Sequence, residues 1–193
     1  ARLLEGIVGR LALSHDVEIS LEANPGAAEI LQFEDYLRAG VSRLSLGIQS
    51  FDDAKLKMLG RIHTGADARR ACRTARDAGF ENLNVDIMFG LPEAISGEAL
   101  LDLQEALVFV PEHLSWYQLT IEQGTAFAQN PPALPVHDLI CDDYDRGLEY
   151  LVCAGFEHYE VSSYAKEGYV SRHNLNYWRF GDYIGIGAGA HGK

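Results

Sequence analysis

The stretch Asn82-Leu-Asn-Val-Asp-Ile-Met-Phe89, which Gly90-Leu-Pro92 follows directly, decides the fold class of this chain. Its apolar residues Leu83, Val85 and Ile87 occupy every second position, and this period is that of a β-strand. Glycine and proline then end the strand, because neither readily continues regular pairing. The sequence therefore predicts one strand over residues 82–89.

Similar strands recur along the first 125 residues and alternate with helices. Strands are also predicted over 17–24, 43–49 and 113–121. Helices are predicted between them, from apolar residues at helical spacing, over 27–39, 53–59, 66–78 and 97–109. Alternation with short links is typical of a parallel sheet covered by helices. We therefore assign residues 1–125 to one α/β unit.

The pattern changes after residue 125. A proline-rich segment over 129–135 precedes a predicted helix over 137–153, and a predicted hairpin strand over 156–162 follows that helix. The remaining tail is irregular and rich in glycine and aromatic residues. We predict that residues 126–193 form a small α+β cap on the open end of the α/β unit.

Composition and charge exclude several classes of partner. The 193 residues carry a formal net charge of −12, which repels phosphate backbones and anionic lipids. No apolar stretch approaches the roughly 20 residues that span a bilayer. The chain has no initiator methionine and no signal-peptide pattern, and it opens within a predicted helix. We expect a cytoplasmic fragment of a longer protein, with neither nucleic acid nor a membrane as its partner.

The three cysteines, Cys72, Cys141 and Cys153, are too few and too widely spaced for a disulfide framework. They form no CxxC grouping of the kind that holds an iron–sulfur cluster. We interpret them as reduced thiols, and apart from a heme ligand we predict no metal ligand in this chain.

Each predicted strand alternates polar with apolar side chains, whereas buried parallel strands are normally apolar throughout. The apolar set must face the helices, so we assign the polar set to the opposite surface. That set comprises Glu18, Ser20 and Glu22 in the first strand, Ser45, Gly47 and Gln49 in the second, Asn84, Asp86 and Met88 in the third, and Gln118 and Thr120 beside Trp116 in the fourth.

Two interpretations of this polar surface stay open from the pattern alone. Unpaired polar groups cost about 1–3 kcal/mol each when buried, so water, mutual hydrogen bonds or a ligand must satisfy them. Ligands of parallel α/β folds bind at the carboxyl ends of the strands, where Glu22, Gln49, Asp86 and Thr120 lie. The surface is either a site for a polar, charged ligand, or a solvated half-sheet or oligomer contact.

Five segments resemble, in order and spacing, the S-adenosylmethionine (SAM)-binding half of the coproporphyrinogen oxidase-like radical SAM proteins. They are Leu21–Gly26 (LEANPG), Arg43–Phe51 (RLSLGIQSF), Leu59–His63 (LGRIH), Asn84–Pro92 (NVDIMFGLP) and Tyr117–Thr125 (YQLTIEQGT). The later segments His173–Trp178 (HNLNYW) and Gly185–Gly192 (GIGAGAHG) are more similar to the HemW heme chaperones than to the oxidases. The resemblance implies a partial, open parallel β/α barrel of the radical SAM type.

By that resemblance, Glu22, Gln49, Arg61 and Asp86 occupy positions that contact SAM, and Thr120 is a further candidate. The residue types suit this ligand, because its ribose hydroxyls and ammonium need acceptors such as carboxylates and an amide oxygen. The methionine carboxylate of SAM suits the guanidinium of Arg61. The alternatives are a surface salt bridge for Arg61 and structural hydrogen bonds for Glu22 and Asp86.

The HNLNYW segment is the feature that this family associates with heme. His173 could ligate iron through a neutral imidazole, and Tyr177 or Trp178 could stack on a porphyrin. A packed or capping role is the alternative for His173. The glycines of the GIGAGAHG segment form no dinucleotide-binding motif, because only Lys193 follows them.

The chain departs from the family pattern in two places. The CxxxCxxC motif that holds a [4Fe-4S] cluster, to which SAM binds, is not in this sequence, and Gln123 stands where a proline is usual. We therefore expect the isolated chain to form no 5′-deoxyadenosine from SAM.

Three functions remain open. The first is a HemW-like chaperone that binds heme, binds SAM and a [4Fe-4S] cluster when intact, and delivers heme to an apoprotein. The second is an oxygen-independent coproporphyrinogen III oxidase, in which the protein positions SAM and substrate while the cofactor supplies the chemistry. The third, a plain α/β interaction domain, is disfavoured by the series Glu22, Gln49, Arg61 and Asp86.

Overall fold

The structure is a computed structural model that describes residues 2–26, 30–187, 190 and 192–193. Its strands are β1 (Ser20–Ala23), β2 (Arg43–Gln49), β3 (Leu83–Phe89), β4 (His113–Gln118), β5 (Glu157–Glu160) and β6 (Ser163–Ala165). Its helices are α1 (Arg2–Val8), α2 (Phe33–Arg38), α3 (Asp53–Met58), α4 (Gly65–Asp77), α5 (Glu98–Leu107), α6 (Ala126–Gln129), α7 (His137–Cys153) and α8 (Arg172–Trp178).

The six strands form an open sheet in the order β1-β2-β3-β4-β6-β5. Strands β1 to β4 pair in parallel, and the β5–β6 hairpin continues the sheet in antiparallel pairing beside β4. The predicted parallel α/β architecture, open rather than closed, is confirmed. Helix α7 packs against α5 and β3, so the later part of the chain also covers this sheet. The division at residue 125 stays a prediction.

Several elements are shorter than the sequence pattern predicts. The first strand begins at Ser20 rather than at residue 17. In the region of the helix predicted over 27–39, α2 covers Phe33–Arg38, and residues 27–29 lie outside the described part of the chain. The predicted hairpin strand over 156–162 is strand β5, which is followed directly by the short strand β6.

The apolar faces of the strands and helices form one core. Its fully buried side chains include Leu44, Leu46, Ile48, Leu83, Val85, Ile87, Leu114 and Trp116. The ring of Trp116 stacks on Tyr144 of α7, with 5.8 Å between centroids, and lies 4.5 Å from the ring of Phe89. Burial of each large side chain contributes about 1.5–3 kcal/mol. The helices therefore cover this face of the sheet.

In the fourth strand, the residues that we assigned to the polar surface are wrong by one position. Trp116 is buried in the helix-covered core, so the opposite surface receives the alternate residues His113, Ser115 and Tyr117. The pairing of Asn84 with His113 in the β3–β4 ladder fixes this register. We had assigned the face from the polar residues that follow Trp116 in the sequence. The correct polar positions begin at His113 and recur at every second residue.

Candidate cofactor-binding surface

The carboxyl end of β2 has an unusual backbone at Gln49. Its φ is 69°, in the left-handed region that residues other than glycine rarely adopt, and the β2–β3 register shifts between Leu46 and Gln49. The side-chain oxygen Oε1 of Gln49 accepts a hydrogen bond from the hydroxyl of Tyr117 at 2.5 Å. Local strain of this kind concentrates at binding sites, where surrounding contacts hold it in place.

Arg61 is held in a short loop between two capped helices. The Asp52 side chain caps α3, and Thr64 and Asp67 form a capping box at the start of α4. The Nη2 atom of Arg61 donates to Oδ1 of Asn24 at 2.5 Å and to the carbonyl of Gly47 at 3.3 Å. Arg61 thus bridges the end of β1 to β2.

Three polar side chains converge on the bare backbone of Gly47. A Cβ atom at this position would lie 3.2 Å from Nε2 of Gln49, 3.4 Å from Oδ1 of Asn24 and 3.5 Å from Nη2 of Arg61. Glycine allows a ligand to approach the backbone closely. Two amides and a guanidinium around this position suit a ligand that carries a carboxylate and hydroxyl groups.

Asp86 lies deeper on the same surface and has donors at both oxygens. Its Oδ1 accepts from Nδ2 of Asn84 at 2.7 Å, and its Oδ2 accepts from Oγ of Ser45 at 3.1 Å. Burial raises the pKa of Asp86, and hydrogen bonds from neighbouring side chains, together with the charge of Arg43, act in the opposite direction. The residue as a whole remains partly accessible to solvent.

Arg43 is the central cation of this surface. Burial lowers its pKa, and the carboxylate charges of Glu18, Asp86 and Glu22 oppose that shift. Its Nε atom is buried and has no hydrogen-bond partner among the residues that the structure describes. Glu22 itself is exposed and stands opposite Ser45 in the β1–β2 ladder. The acidic residues of this surface are therefore grouped around one guanidinium.

In the part of the chain that the structure describes, none of the five predicted SAM residues hydrogen-bonds to another. Gln49 and Arg61 meet at Gly47, and Glu22 and Asp86 both act on Arg43. Thr120 is exposed, and its hydroxyl lies 3.2 Å from a carboxylate oxygen of Glu122. Tyr117 is the residue through which β4 reaches Gln49. Burial is the main cause that raises the pKa of Tyr117 to about 12, with a further contribution from Asp86.

Sequence reasoning missed Asn24, Arg43 and Tyr117 as parts of this surface. Asn24 belongs to an Asn-Pro-Gly turn, which we interpreted only as the end of a strand. Arg43 is the first residue of β2. Because it stands two positions before Ser45, the period of a strand places both on the same face. The same alternation from His113 would have identified Tyr117.

The predicted heme residues His173, Tyr177 and Trp178 are all exposed on α8. The His173 ring stands edge-on to Tyr183, at 4.7 Å between centroids, and Tyr177 stands edge-on to Trp178 at 6.1 Å. The indole of Trp178 donates to Glu160 at 2.9 Å. The backbone N–H of His173, rather than its ring, contacts the Glu18 carboxylate at 3.3 Å. The imidazole is therefore accessible to a ligand.

No cluster of candidate metal ligands occurs in the described ranges of the chain, where three or more His, Cys, Asp or Glu side chains nowhere come together. Cys72 is buried in α4, and this burial raises its pKa to about 12. Cys141 and Cys153 are exposed on α7. These thiols do not fit the three-thiolate set that a [4Fe-4S] cluster needs. Across the same ranges, no helix is both long and apolar enough to cross a membrane.

Comparison with known families agrees with this geometry. The profile of the radical SAM superfamily matches residues 2–103, and the chain belongs to this superfamily. Superfamily membership implies SAM and a [4Fe-4S] cluster as the class of cofactor.

Curated relatives place the chain more narrowly. It is 54% identical over 191 residues to the heme chaperone HemW of Escherichia coli (strain K12), and 50% identical over 193 residues to that of Haemophilus influenzae. A mitochondrial radical S-adenosyl methionine domain-containing protein 1 of Mus musculus is 44% identical over 198 residues. These matches cover 99–100% of this chain but 45–50% of the relatives. The chain thus spans about half their length.

Solved structures confirm the fold type. Coproporphyrinogen III oxidase (HemN) from Escherichia coli, described as a radical SAM enzyme, superimposes with a TM-score of 0.80 at 22% identity. The match covers 99% of this chain and 48% of that one. The archaeal Methanocaldococcus infernus Elp3 gives a TM-score of 0.57 at 20% identity, over 68% of this chain and 32% of the other. At these identities the likeness shows the fold alone.

Proposed function

We propose that this chain is the part of a HemW-like heme chaperone that carries its SAM-binding surface and its heme-binding helix. The observation that carries the heme assignment is the accessible imidazole of His173 on the same short helix as exposed Tyr177 and Trp178. The relatives named heme chaperone HemW, at 50–54% identity over nearly the whole chain, support the same conclusion. The cytoplasm is part of this proposal as the place of action.

In this proposal SAM occupies the polar surface at the carboxyl ends of the strands. Arg61 pairs with the methionine carboxylate, because its guanidinium already reaches over the Gly47 backbone. Gln49 and Asp86 accept hydrogen bonds from the ribose hydroxyls or the ammonium. The exposed residues Glu22 and Thr120 provide further polar contacts to SAM. The described cysteines do not fit a cluster, so the proposal for this chain concerns binding and not radical chemistry.

Heme in this proposal binds to α8. The His173 imidazole ligates the iron, while Tyr177 and Trp178 pack on the porphyrin face. Glu160 orients the indole of Trp178, and Glu18 holds the first backbone N–H groups of the helix. An exposed site on a short helix suits a carrier that must release its cargo, here to a heme-accepting apoprotein.

A hemin titration of the purified chain, followed by its Soret absorption, tests this proposal. We expect saturable binding to the unaltered chain and at least about tenfold weaker binding after His173→Ala, because the loss of an iron ligand exceeds about 1.4 kcal/mol. His137→Ala is the matched control, since His137 is also exposed and its side chain contacts Cys141 on α7. Equal binding by the two variants would remove His173 from the proposal.

The oxygen-independent coproporphyrinogen III oxidase is the second candidate. Its support is the fold likeness to the Escherichia coli enzyme, which does not extend to the reaction. A decarboxylation assay with coproporphyrinogen III on the longer protein separates the two candidates. The chaperone proposal predicts heme binding and no conversion of the substrate.

A further inference from the structure

When Asp86 is ionised, the amide of Asn84 can be oriented in one way only. Its Nδ2 faces Oδ1 of Asp86 at 2.7 Å, and a carboxylate can only accept, so the amide nitrogen must be the donor there. Its Oδ1 therefore faces the other way, toward Nδ1 of His113 at 2.6 Å and Oγ of Ser115 at 3.2 Å. The Nδ1 atom of His113 must donate to it, whereas the single hydroxyl proton of Ser115 can go either to this oxygen or to Asp86.

This orientation fixes the tautomer of His113. Because Nδ1 donates to Asn84, it carries the proton, and Nε2 of the neutral ring is left as an acceptor. The hydroxyl of Tyr159 lies 2.6 Å from Nε2 and must donate to it. Burial first, and the charge of Arg43 second, lower the pKa of His113 to about 2, so the ring stays neutral near pH 7.

The chain of hydrogen bonds continues into α8. The oxygen of Tyr159, having donated its proton toward His113, accepts from Nδ2 of Asn174 at 3.1 Å. Asn174 also donates to the buried hydroxyl of Ser163 at 3.1 Å, and the Ser171 side chain lies 3.3 Å from its amide oxygen. Asn174 directly follows His173, so this contact anchors the helix that carries the predicted heme ligand.

We propose that His113 and Tyr159 are positioning residues that link the Asp86 carboxylate to α8 through hydrogen bonds of one fixed direction. The direction runs from Asn174 to Tyr159, then to His113, and ends through Asn84 at Asp86. The link between the two ends of the polar surface stands on geometry alone, whereas its consequence for heme rests on the function proposed above. A ligand that competes for the Asp86 carboxylate acts on α8 through this chain.

The first test is the tautomer of His113, measured by long-range ¹H–¹⁵N correlation spectra of the labelled chain. We expect a proton on Nδ1, a bare Nε2, and no titration of the ring between pH 5 and 8. Asn84→Ala removes the acceptor that fixes this form, and His15 in the same spectra provides an exposed histidine for comparison. A proton on Nε2, or a protonated ring at pH 7, overturns the proposal.

The second test removes one hydroxyl. Tyr159→Phe keeps the ring but breaks the contacts to His113 and Asn174, and Tyr169→Phe is the matched control at a tyrosine outside the chain of hydrogen bonds. We expect hemin affinity to fall about 3- to 10-fold in Tyr159→Phe only, because α8 itself loses one of the two hydrogen bonds broken, the one that Asn174 donates to Tyr159. The Soret maximum should shift in the same variant, while far-UV circular dichroism stays unchanged.

A readout that needs no heme separates this proposal from the proposed function. The side-chain amide signal of Asn174 should move in Tyr159→Phe and stay in place in Tyr169→Phe. If the Asn174 amide signal moves in Tyr159→Phe but neither this variant nor the unaltered chain binds hemin, the hydrogen-bonded link to α8 stands and the proposed heme function fails. If the amide does not move, or if both variants bind hemin like the unaltered chain, His113 and Tyr159 do not position α8.

Discussion

The hydroxyl of Tyr117 on β4 donates to the side-chain oxygen of Gln49 on β2 across 2.5 Å, although β3 lies between these two strands. Adjacent strands are about 4.8 Å apart, so the two side chains must lean toward each other over β3. The two side chains therefore cross β3 at the carboxyl end of the sheet. The other side-chain amide atom of Gln49, Nε2, faces the Gly47 backbone, which Arg61 also contacts.

The neutral state of His113 predicts a specific loss of stability in acid. Its pKa is about 2 in the folded chain and 6.5 as the ordinary value, so the unfolded chain binds the extra proton. The contribution of His113 to stability is complete above pH 6.5 and decreases as the pH falls below it, by up to about 1.4 kcal/mol per pH unit. In urea unfolding between pH 6.5 and 5, His113→Gln should lose stability less steeply than the unaltered chain. Parallel pH profiles would show that His113 is not held neutral.

Gly147 is predicted to be important for stability, because α7 packs closely on the sheet at this position. A Cβ atom there would lie 2.0 Å from Cη2 of Trp116, and both residues are buried. Alanine normally stabilises a helix interior by about 0.5–1 kcal/mol relative to glycine, but the clash should outweigh this gain. We expect Gly147→Ala to lower the free energy of unfolding by about 1–3 kcal/mol. Cys153→Ala, on the exposed part of the same helix, should change it little; a Gly147→Ala protein as stable as that control would contradict the packing described.

The buried ammonium of Lys55 predicts an asymmetry between two substitutions. Its Nζ lies 3.1 Å from the carboxylate of Glu98 and 2.9 Å from the carbonyl of Pro92, and only 8% of its side chain is exposed. Glu98→Ala leaves a buried charge without its partner and should cost about 2 kcal/mol or more. Lys55→Met leaves a carboxylate that water can reach, so it should cost less. Thermal unfolding of the two variants measures the order, and the reverse order would contradict this description of the pair.

The fold was predictable from sequence because it depends on local periodicity. Leu44, Leu46 and Ile48 alternate with Ser45 and Gly47, and the same period over 82–89 indicates a strand; the succession of such strands with helices then indicates a parallel sheet. Trp116 misled the prediction of a face, since a large aromatic residue among polar neighbours fits either side. Its burial against Tyr144 of α7 is a tertiary contact that the strand itself does not encode.

The candidate site was predictable in its residue types but not in its connections. Gln49, Arg61 and Asp86 were predicted from sequence, and their role stays a prediction; the partners of Gln49 and Arg61 lie far away along the chain. Arg61 contacts Asn24 across 37 positions, and Tyr117 contacts Gln49 across 68. Pairings of this kind depend on how the strands are ordered in the sheet. A pattern of period two contains no information about that order.

Calorimetric titration of the chain with SAM is the most direct measurement of whether the polar surface binds this ligand. We predict saturable binding that weakens about tenfold in Arg61→Gln, because a charge-assisted hydrogen bond contributes about 1.5–3 kcal/mol. Arg73→Gln, at an exposed arginine of α4, should change the affinity by less than about twofold. No saturable binding by the unaltered chain at millimolar SAM, or an equal loss in the two arginine variants, would contradict the assignment of this surface to SAM.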